Sequence, residues 1–306
     1  MNRADKRSSG FWEGLPWRGL LAIVVWGASF VATRIALRSL SPFGLVAARL
    51  LAGALVLALA AWLRGGRAWP LRRDIPACTL LGILLSGHLV IQAFGLRYTS
   101  AINTGWIIGF IPVTIALGTH FIRQQRIRPT GWAGVAVGTG GVLVVTMVAP
   151  PDFAHARFGD FLQIVSCFTW TVYTLGGVGP VGRNGALRVT SFAMAVAAIV
   201  TTVIAAASGP IAAPVTSETL LAVGFLGVLC SGVAYYLWFA AQRQHGPARA
   251  GSLLYLEPFV TLITAAIILH ENITPNAVVG GVVVLVGVWL VARGSERPRE
   301  PIAEPG

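Results

Sequence analysis

The sequence has few charged residues, a single lysine and only three cysteines. Charged side chains make up 11% of its 306 residues, whereas soluble chains carry about 25%. So few charges cannot cover the surface of a water-soluble protein of this length, which predicts that the chain lies in a membrane. The cysteines, Cys78, Cys167 and Cys230, lie far apart in or beside apolar segments. That spacing predicts neither a metal site nor a disulfide framework.

Several functional motifs are also missing. The sequence contains no glycine-rich phosphate loop, metal-ligand cluster or nucleophile triad, and its loops are too short to form a soluble catalytic domain. These absences argue against an ATP-driven pump, and they predict no catalytic residue, no metal and no cofactor. The formal net charge is +12, but the basic residues are not clustered on one face or in one tail. No nucleic-acid partner is therefore predicted.

Long apolar segments dominate the rest of the sequence. Most are about twenty residues long, which is the length that a membrane-spanning helix needs, and charges, prolines and glycines separate them. The predicted fold is an all-α polytopic membrane protein with ten transmembrane helices. We place these helices at residues 18–38, 43–63, 76–96, 101–121, 130–149, 159–178, 188–208, 218–241, 248–269 and 276–293.

Basic residues alternate along the predicted connections. The N-terminus, the even-numbered loops and the C-terminal tail hold eighteen of the 23 basic residues, whereas the odd-numbered loops hold four and Arg49 lies inside a helix. Cytoplasmic loops are enriched in Lys and Arg, so both termini are predicted to be cytoplasmic. The predicted location is the inner (cytoplasmic) membrane of the cell.

The two halves of the chain resemble each other at an offset of about 146 residues, as expected for an internal repeat. Without a gap, Arg97 aligns with Arg243 and Pro112 with Pro258. Coinciding prolines and glycines are more informative than matches among apolar residues, so the alignment predicts a duplication. The predicted units are a first five-helix repeat with a cytoplasmic N-terminal tail, a linker, a second five-helix repeat and a disordered cytoplasmic tail, at residues 1–149, 150–158, 159–293 and 294–306.

The second repeat is predicted to be inverted, because each half contains an odd number of helices. The loop at residues 123–128 contains three arginines, whereas its counterpart at residues 269–274 has no arginine or lysine. One loop is therefore predicted to be cytoplasmic and the other external. Inverted repeats recur in secondary transporters, whose two halves open a central site to either side of the membrane.

Ionisable side chains inside a bilayer are candidate functional residues. Of the eleven acidic residues, only Glu257 lies well inside a predicted helix, where it could bind a proton or a substrate amine. Arg49 could hold a substrate carboxylate, reach the headgroups or pair with Glu257. A purely structural role remains the alternative for both residues. Pro112 and Pro258 each remove one helical hydrogen bond, so they predict kinks in the fourth and ninth helices.

Polar and aromatic residues three or four apart share a helix face. Such pairs predict a pocket for a partly apolar solute, although interfacial or packing roles are open for each residue. For His88 a proton relay is a further, weaker possibility. The candidate substrate-binding residues are Trp26, Ser29, His88, Gln92, Asn103, Trp106, Trp170 and Tyr173.

Five features together resemble the EamA-type branch of the drug/metabolite transporter superfamily. They are WGASF at residues 26–30, Arg49 in the second helix, GLRYTSA at residues 95–101, LEP at residues 256–258, and the polar turn and glycine-marked helix of residues 271–287. None is specific alone, but the resemblance covers nearly the whole chain. The sequence departs from the family pattern at Gln125, where the first half often carries a glutamate.

The resemblance implies a basket of helices around a central cavity, with the fifth and tenth helices peripheral and available for homodimer contacts. It also implies export of amino acids, related metabolites or toxic compounds, with a proton as a candidate coupling ion. The alternatives are an uncoupled facilitator of drug-like solutes and an intramembrane enzyme that modifies a lipid or isoprenoid. A non-transporting scaffold or sensor is a third alternative.

Overall fold

The chain forms ten helical units in a computed structural model that describes residues 17–65, 69–124, 126–146, 153–208, 214–245 and 250–294. A short 3₁₀ turn, Arg72–Asp74, precedes the third. The units are α1, Trp17–Ala36; α2, Pro42–Leu63; α3, Ile75–Tyr98; α4, Ala101–Ile108 and Ile111–Arg123; α5, Pro129–Thr146; α6, Phe153–Asn184; α7, Ala186–Ala207; α8, Ser217–Gly224, Phe225–Ala234 and Tyr235–His245; α9, Ser252–Leu256 and Glu257–Ile268; and α10, Pro275–Gly294.

The fold is that of a multi-pass α-helical membrane protein. Nine helices of the described residues are long and apolar enough to cross a membrane, and a shorter apolar helix spans Leu253–Ile268. These elements confirm the predicted all-α polytopic fold. The predicted N-terminal tail, the C-terminal tail beyond Gly294, Gln125 and the first residues of the predicted linker lie outside the described residues.

The sixth helix is longer than predicted at both ends. It begins at Phe153, within the segment predicted as a linker, and it continues past residue 178 to Asn184 with Pro180 inside it. A proline so close to a helix end removes only one backbone hydrogen bond, and the Asn184 side chain donates a hydrogen bond to the Pro180 carbonyl. The helix ends instead before Gly185, whose φ of 83° favours glycine.

Two helices are broken near the middle of the bundle, and the breaks contact each other. Helix α4 is interrupted at Gly109 and restarts at Ile111, and α9 changes from 3₁₀ to α-helix at Glu257. A Cβ atom added to Gly109 would lie 2.8 Å from the Pro258 side chain. The proline ring therefore packs directly on the opposite backbone, which only glycine permits at this distance. Both breaks lie beside the predicted kink residues, Pro112 and Pro258.

Helices α5 and α10 form a tightly packed pair on glycines. A Cβ atom added to Gly141 would lie 2.5 Å from the backbone nitrogen of Val284, and one added to Gly134 would lie 2.5 Å from the carbonyl of Gly287. Small residues let two membrane helices approach until their backbones are in contact. These glycines explain why the pair is continuous along both helices.

Packing between the two halves of the bundle is reciprocal. Helix α1 packs on α8 and α9, and α6 packs on α3 and α4; likewise α2 contacts α8 while α7 contacts α3. The other cross-half pairs are α2 with α7, α4 with α9 and α5 with α10, and α4 also contacts α10. Each of these contacts except that of α4 with α10 is matched by one in which the helix numbers are shifted by five.

Candidate functional site

A small cavity lies at the centre of the bundle, beside the breaks in α4 and α9. Side chains from seven helices line it, and its volume of about 30 Å³ holds one or two water molecules. An amino-acid-sized solute would fit only if the lining side chains moved. The lining residues are Trp26, Ser29, Phe30, Arg49, His88, Leu89, Gln92, Ile108, Ile111, Trp170, Tyr235, Leu254 and Glu257.

Two buried groups of opposite charge face this cavity without forming an ion pair. Arg49 and Glu257 are each 4% exposed, and Arg49 donates a hydrogen bond from Nε to Ser231 Oγ at 3.1 Å. Among the described residues, no basic nitrogen lies within 4 Å of the Glu257 carboxylate. A buried charge without a partner is costly, and a proton or a positively charged group beside Glu257 would remove that cost.

The position of Glu257 follows from the local helix geometry. It is the first residue of the α-helical part of α9, directly after the 3₁₀ turn and before Pro258. Pro258 contributes no N–H group, and a proline in the first turn of a helix is tolerated for that reason. Thr261 Oγ1 donates to the carbonyls of Glu257 and Gly27, each at 3.0 Å. These bonds attach the start of the α-helical segment to α1.

One wall of the cavity is aromatic. The ring centroid of Trp26 lies 5.1 Å from those of both Trp170 and Tyr235, in edge-to-face arrangements. Trp26 Nε1 also donates to the Cys230 carbonyl at 3.1 Å, which fixes its ring. Such a wall offers apolar and quadrupolar contacts to a ligand side chain and can hold a cation over a ring face.

The predicted pair on α3 also reaches the cavity. His88 is buried and lies 2.9 Å from Thr169 Oγ1 through Nδ1, and its ring packs on Trp170 at 5.3 Å. Gln92, one turn later, lines the same cavity, and its backbone carbonyl accepts a hydrogen bond from Gln163. The i, i+4 spacing thus places both side chains on the side of α3 that faces the cavity.

Three of the predicted substrate-binding residues do not line the cavity. Trp106 packs between α4 and α10, with its ring on Gly281 and near Phe259. Asn103 lies in the first turn of α4, close to Asp160. Tyr173 is buried behind the aromatic wall, with its ring 5.5 Å from that of Trp170. Helix spacing pairs residues on one face, but it does not indicate which face turns toward the cavity.

Several lining residues were not predicted from the sequence. Most are apolar: Phe30, Leu89, Ile108, Ile111 and Leu254. Apolar lining residues could not be identified from the sequence, because the lipid-facing and the cavity-facing sides of the helices are both apolar. Tyr235 could have been found, since it occupies an aromatic stretch of α8. Its position directly after the π-helical segment Phe225–Ala234 is visible only in the structure.

Polar contacts close the bundle at the end opposite the start of α1. The Glu271 carboxylate accepts hydrogen bonds from the backbone nitrogens of Ala101 and Ile102, each at 3.0 Å, and so caps α4. Arg34 lies 4.0 Å from Glu271 and donates to the carbonyls of Leu96 and Thr99. Glu271 thus has a defined role in holding α4 at this end.

Metal ligands are not grouped anywhere in the described part of the chain. No set of three or more His, Cys, Asp or Glu side chains there could hold an ion. The three cysteines are free and buried.

Comparisons with known proteins identify this arrangement. The model of the EamA-like transporter family matches the chain twice, at residues 17–147 and 157–293. An uncharacterized transporter of Archaeoglobus fulgidus is 32% identical over 88% of this chain and 94% of its own. A probable terminal-alkyne amino-acid exporter of Streptantibioticus cattleyicolor is 28% identical over 95% of this chain and 97% of its own. A crystal structure with 21% identity and a TM-score of 0.69 covers 90% of this chain and 96% of that one, and it shares the fold.

Proposed function

Because the chain belongs to the EamA-like transporter family, we propose that it is a secondary transporter that exports amino acids or related small metabolites by alternating access. The observation that carries the substrate class is the pair of buried, unpaired charges on one cavity, Arg49 and Glu257. An amino acid carries a carboxylate and an ammonium group a few ångströms apart. Arg49 would bind the carboxylate, since guanidinium groups match carboxylates, and Glu257 would bind the ammonium group.

The aromatic wall supports the same substrate class. Trp26, Trp170 and Tyr235 would contact the substrate side chain, while Ser29 and Gln92 offer polar atoms on the same cavity. The similarity to a probable terminal-alkyne amino-acid exporter also supports an amino-acid substrate. Apolar contacts of this kind discriminate only modestly between side chains, so we expect the transporter to accept several of them.

Alternating access between inverted halves is supported by three features. The family model matches the chain twice, most helix contacts between the halves are reciprocal, and the breaks at Gly109 and Glu257 lie at corresponding places in the two halves. Broken helices can bend without loss of the rest of their hydrogen bonds. The cavity in this conformation is too small for an amino acid, so a substrate requires such a movement.

Glu257 is the proposed coupling residue. A proton on its carboxylate would remove the cost of the unpaired charge, and a bound substrate ammonium group would do the same. Competition between proton and substrate for one buried site is sufficient to couple their movements in opposite directions. An uncoupled facilitator is the second candidate, because the cavity offers only one carboxylate among the described residues.

The proposed topology places both termini in the cytoplasm, on the basis of the distribution of basic residues. The protein would act in the inner (cytoplasmic) membrane of the cell, and the substrate would leave through the end that Arg34 and Glu271 close. A homodimer through α5 and α10 remains a prediction.

Counterflow in proteoliposomes tests the function. Vesicles loaded with single unlabelled amino acids or metabolites would be assayed for exchange with labelled solutes, with and without a pH gradient. The wild type is compared with Glu257→Gln and with Glu218→Gln, which removes a carboxylate exposed at the surface. We expect saturable exchange of at least one amino acid by the wild type and by Glu218→Gln.

The Glu257→Gln variant distinguishes the candidates. A variant that still exchanges substrate, at higher half-saturating concentrations because the ammonium partner is lost, but no longer concentrates it against a gradient assigns coupling to Glu257. If neither the wild type nor the variant responds to the pH gradient, the protein is an uncoupled facilitator. Absence of flux for every solute, in protein that elutes as a single species, would overturn the amino-acid proposal.

A further inference from the structure

A second, larger cavity opens at the end of the bundle where α1 begins. Its volume is about 780 Å³, and we call it the arginine vestibule. Residues from α1, α2, α8 and the junction of α6 with α7 line it. Four arginines are among the lining residues: Arg18, Arg183, Arg188 and Arg243.

One wall of the vestibule is held by a buried carboxylate. Asp74 accepts bonds from Arg183 Nε at 3.0 and 3.1 Å and from Asn184 Nδ2 at 2.7 Å. Asn184 Oδ1 in turn accepts a bond from the Leu71 backbone nitrogen at 2.7 Å. The Asp74 carboxylate is thus fully used by Arg183 and Asn184, and these bonds join the start of α3 to the end of α6. The charges of the other three arginines are therefore not compensated by Asp74.

The turn at Gly185 brings Arg243 into the vestibule. The backbone of Gly185 has a φ of 83°, and a Cβ atom added there would lie 3.3 Å from an Arg243 guanidinium nitrogen. The absence of a side chain at this turn therefore makes room for the guanidinium. Arg18 is oriented by a bond of 3.3 Å to the side-chain oxygen of Gln244.

No acid within the described residues forms an ion pair with Arg18, Arg188 or Arg243. A cleft lined by one sign of charge concentrates ions of the opposite sign. The vestibule therefore favours anions by its fixed charge.

One helix, α8, lines both the vestibule and the central cavity. Tyr235 lines the central cavity, whereas Tyr236 and Ala240 line the vestibule. Trp238 and Phe239, from the same stretch of α8, are fully buried. Trp238 contacts Trp26, and Phe239 contacts Tyr173. Buried aromatic side chains thus lie on the stretch of α8 that connects the two cavities.

We infer that the arginine vestibule is a second binding site, which takes carboxylate-bearing solutes from water and presents them to the central cavity. Arg188, Arg243 and Arg18 supply the guanidinium groups, and Asp74 keeps Arg183 and the wall in place. Water-borne carboxylates are favoured over lipid headgroups because the same helix, α8, lines both the vestibule and the central cavity. The inference rests on the proposed function only for the claim that the bound solute is transported.

Charge-selective thiol labelling tests the site without measuring transport. Leu187→Cys places a thiol in the vestibule, and the parent chain, whose three cysteines are buried, gives the background rate. The protein is labelled with the anionic 2-sulfonatoethyl and the cationic 2-(trimethylammonium)ethyl methanethiosulfonates. We expect the ratio of anionic to cationic rates to exceed that at an exposed reference cysteine by about tenfold, and to fall in high salt.

Substitution of the arginines provides the matched comparison. Arg188→Gln and Arg243→Gln should each lower the rate ratio about threefold, whereas Arg243→Lys and Arg128→Gln should leave it within about twofold. Arg128 is exposed and does not line the vestibule. Citrate should slow labelling more than sodium chloride of equal ionic strength does, with the same effect in detergent and in vesicles of neutral lipid.

Three results would overturn the inference. The first is a labelling-rate ratio equal to that of the reference cysteine. The second is a fall of this ratio in Arg128→Gln as large as the fall in Arg188→Gln and Arg243→Gln. The third is protection from labelling by citrate that requires anionic lipid. Ala240→Cys, at a second lining position, repeats the measurement if Leu187→Cys does not fold. A preference for the anionic reagent in a protein that transports nothing would instead refute the proposed function, and the inference of an anion-binding vestibule would stand.

Discussion

Arg49 and Glu257 illustrate how a membrane protein keeps opposite charges apart. Both are buried on one cavity, yet Arg49 bonds to Ser231 rather than to Glu257. An ion pair between them would lower the cost of burying each charge. In the proposed function, the unpaired arrangement would leave that stabilisation to a bound zwitterion.

We predict that Arg49→Gln affects only solutes with a carboxylate. The substitution removes the charged donor group but keeps a polar side chain, so the half-saturating concentration of tryptophan should rise about 10- to 100-fold. Tryptamine, which lacks the carboxylate, should be affected less than about twofold. Competition against a transported label measures both constants.

The control for this prediction is Arg128→Gln, which removes an exposed arginine that does not line the cavity. Equal losses for tryptophan and tryptamine in Arg49→Gln would indicate that Arg49 has a structural role. In that case the bond to Ser231, rather than contact with a substrate carboxylate, would be its function.

Among the elements, the broken helices and the glycine pair have opposite mechanical properties. Helices α4 and α9 change geometry within their length, and their breaks flank the central cavity. Helices α5 and α10 are unbroken and packed backbone to backbone. We therefore expect movement during transport in the first pair and a rigid support in the second.

We predict that Gly141→Val destabilises the protein, whereas Gly140→Val does not. A Cβ at Gly141 would meet the Val284 backbone at 2.5 Å, whereas one at Gly140 meets nothing within 4 Å. Overpacking of this kind costs about 1–3 kcal/mol. The apparent Tm in detergent, followed by loss of the monodisperse peak, should fall by several degrees for Gly141→Val alone.

Equal Tm values for the two variants would show that α5 and α10 separate without cost. The comparison is internal, because both substitutions add the same side chain to neighbouring positions of one helix. General effects on helix propensity therefore cancel, and the difference reports contact with α10.

For the whole molecule, the arrangement of charges predicts the topology. A fluorescent-protein fusion at the C-terminus should be fluorescent and a phosphatase fusion there inactive, because the first matures in the cytoplasm and the second outside it. A phosphatase inserted after Leu269, in the connection before α10, should be active. The reverse pattern would exclude cytoplasmic termini and would place the arginine vestibule on the outer face.

The sequence by itself determined the helical membrane fold, the approximate limits of most helices and the family. Those properties depend on apolar segments long enough to cross a bilayer, which are local. It also singled out Glu257, Arg49, Trp26 and His88, because polar and aromatic groups are conspicuous in an apolar sequence.

Only the tertiary structure decided which of these residues share a cavity. Lipid is as apolar as the interior of the bundle, so the sequence gives no periodicity to show how a helix is rotated. Trp106 and Trp170 therefore look equivalent in sequence, yet one packs on Gly281 and the other lines the cavity. The break at Gly109 and the separation of Arg49 from Glu257 likewise depend on contacts between distant helices.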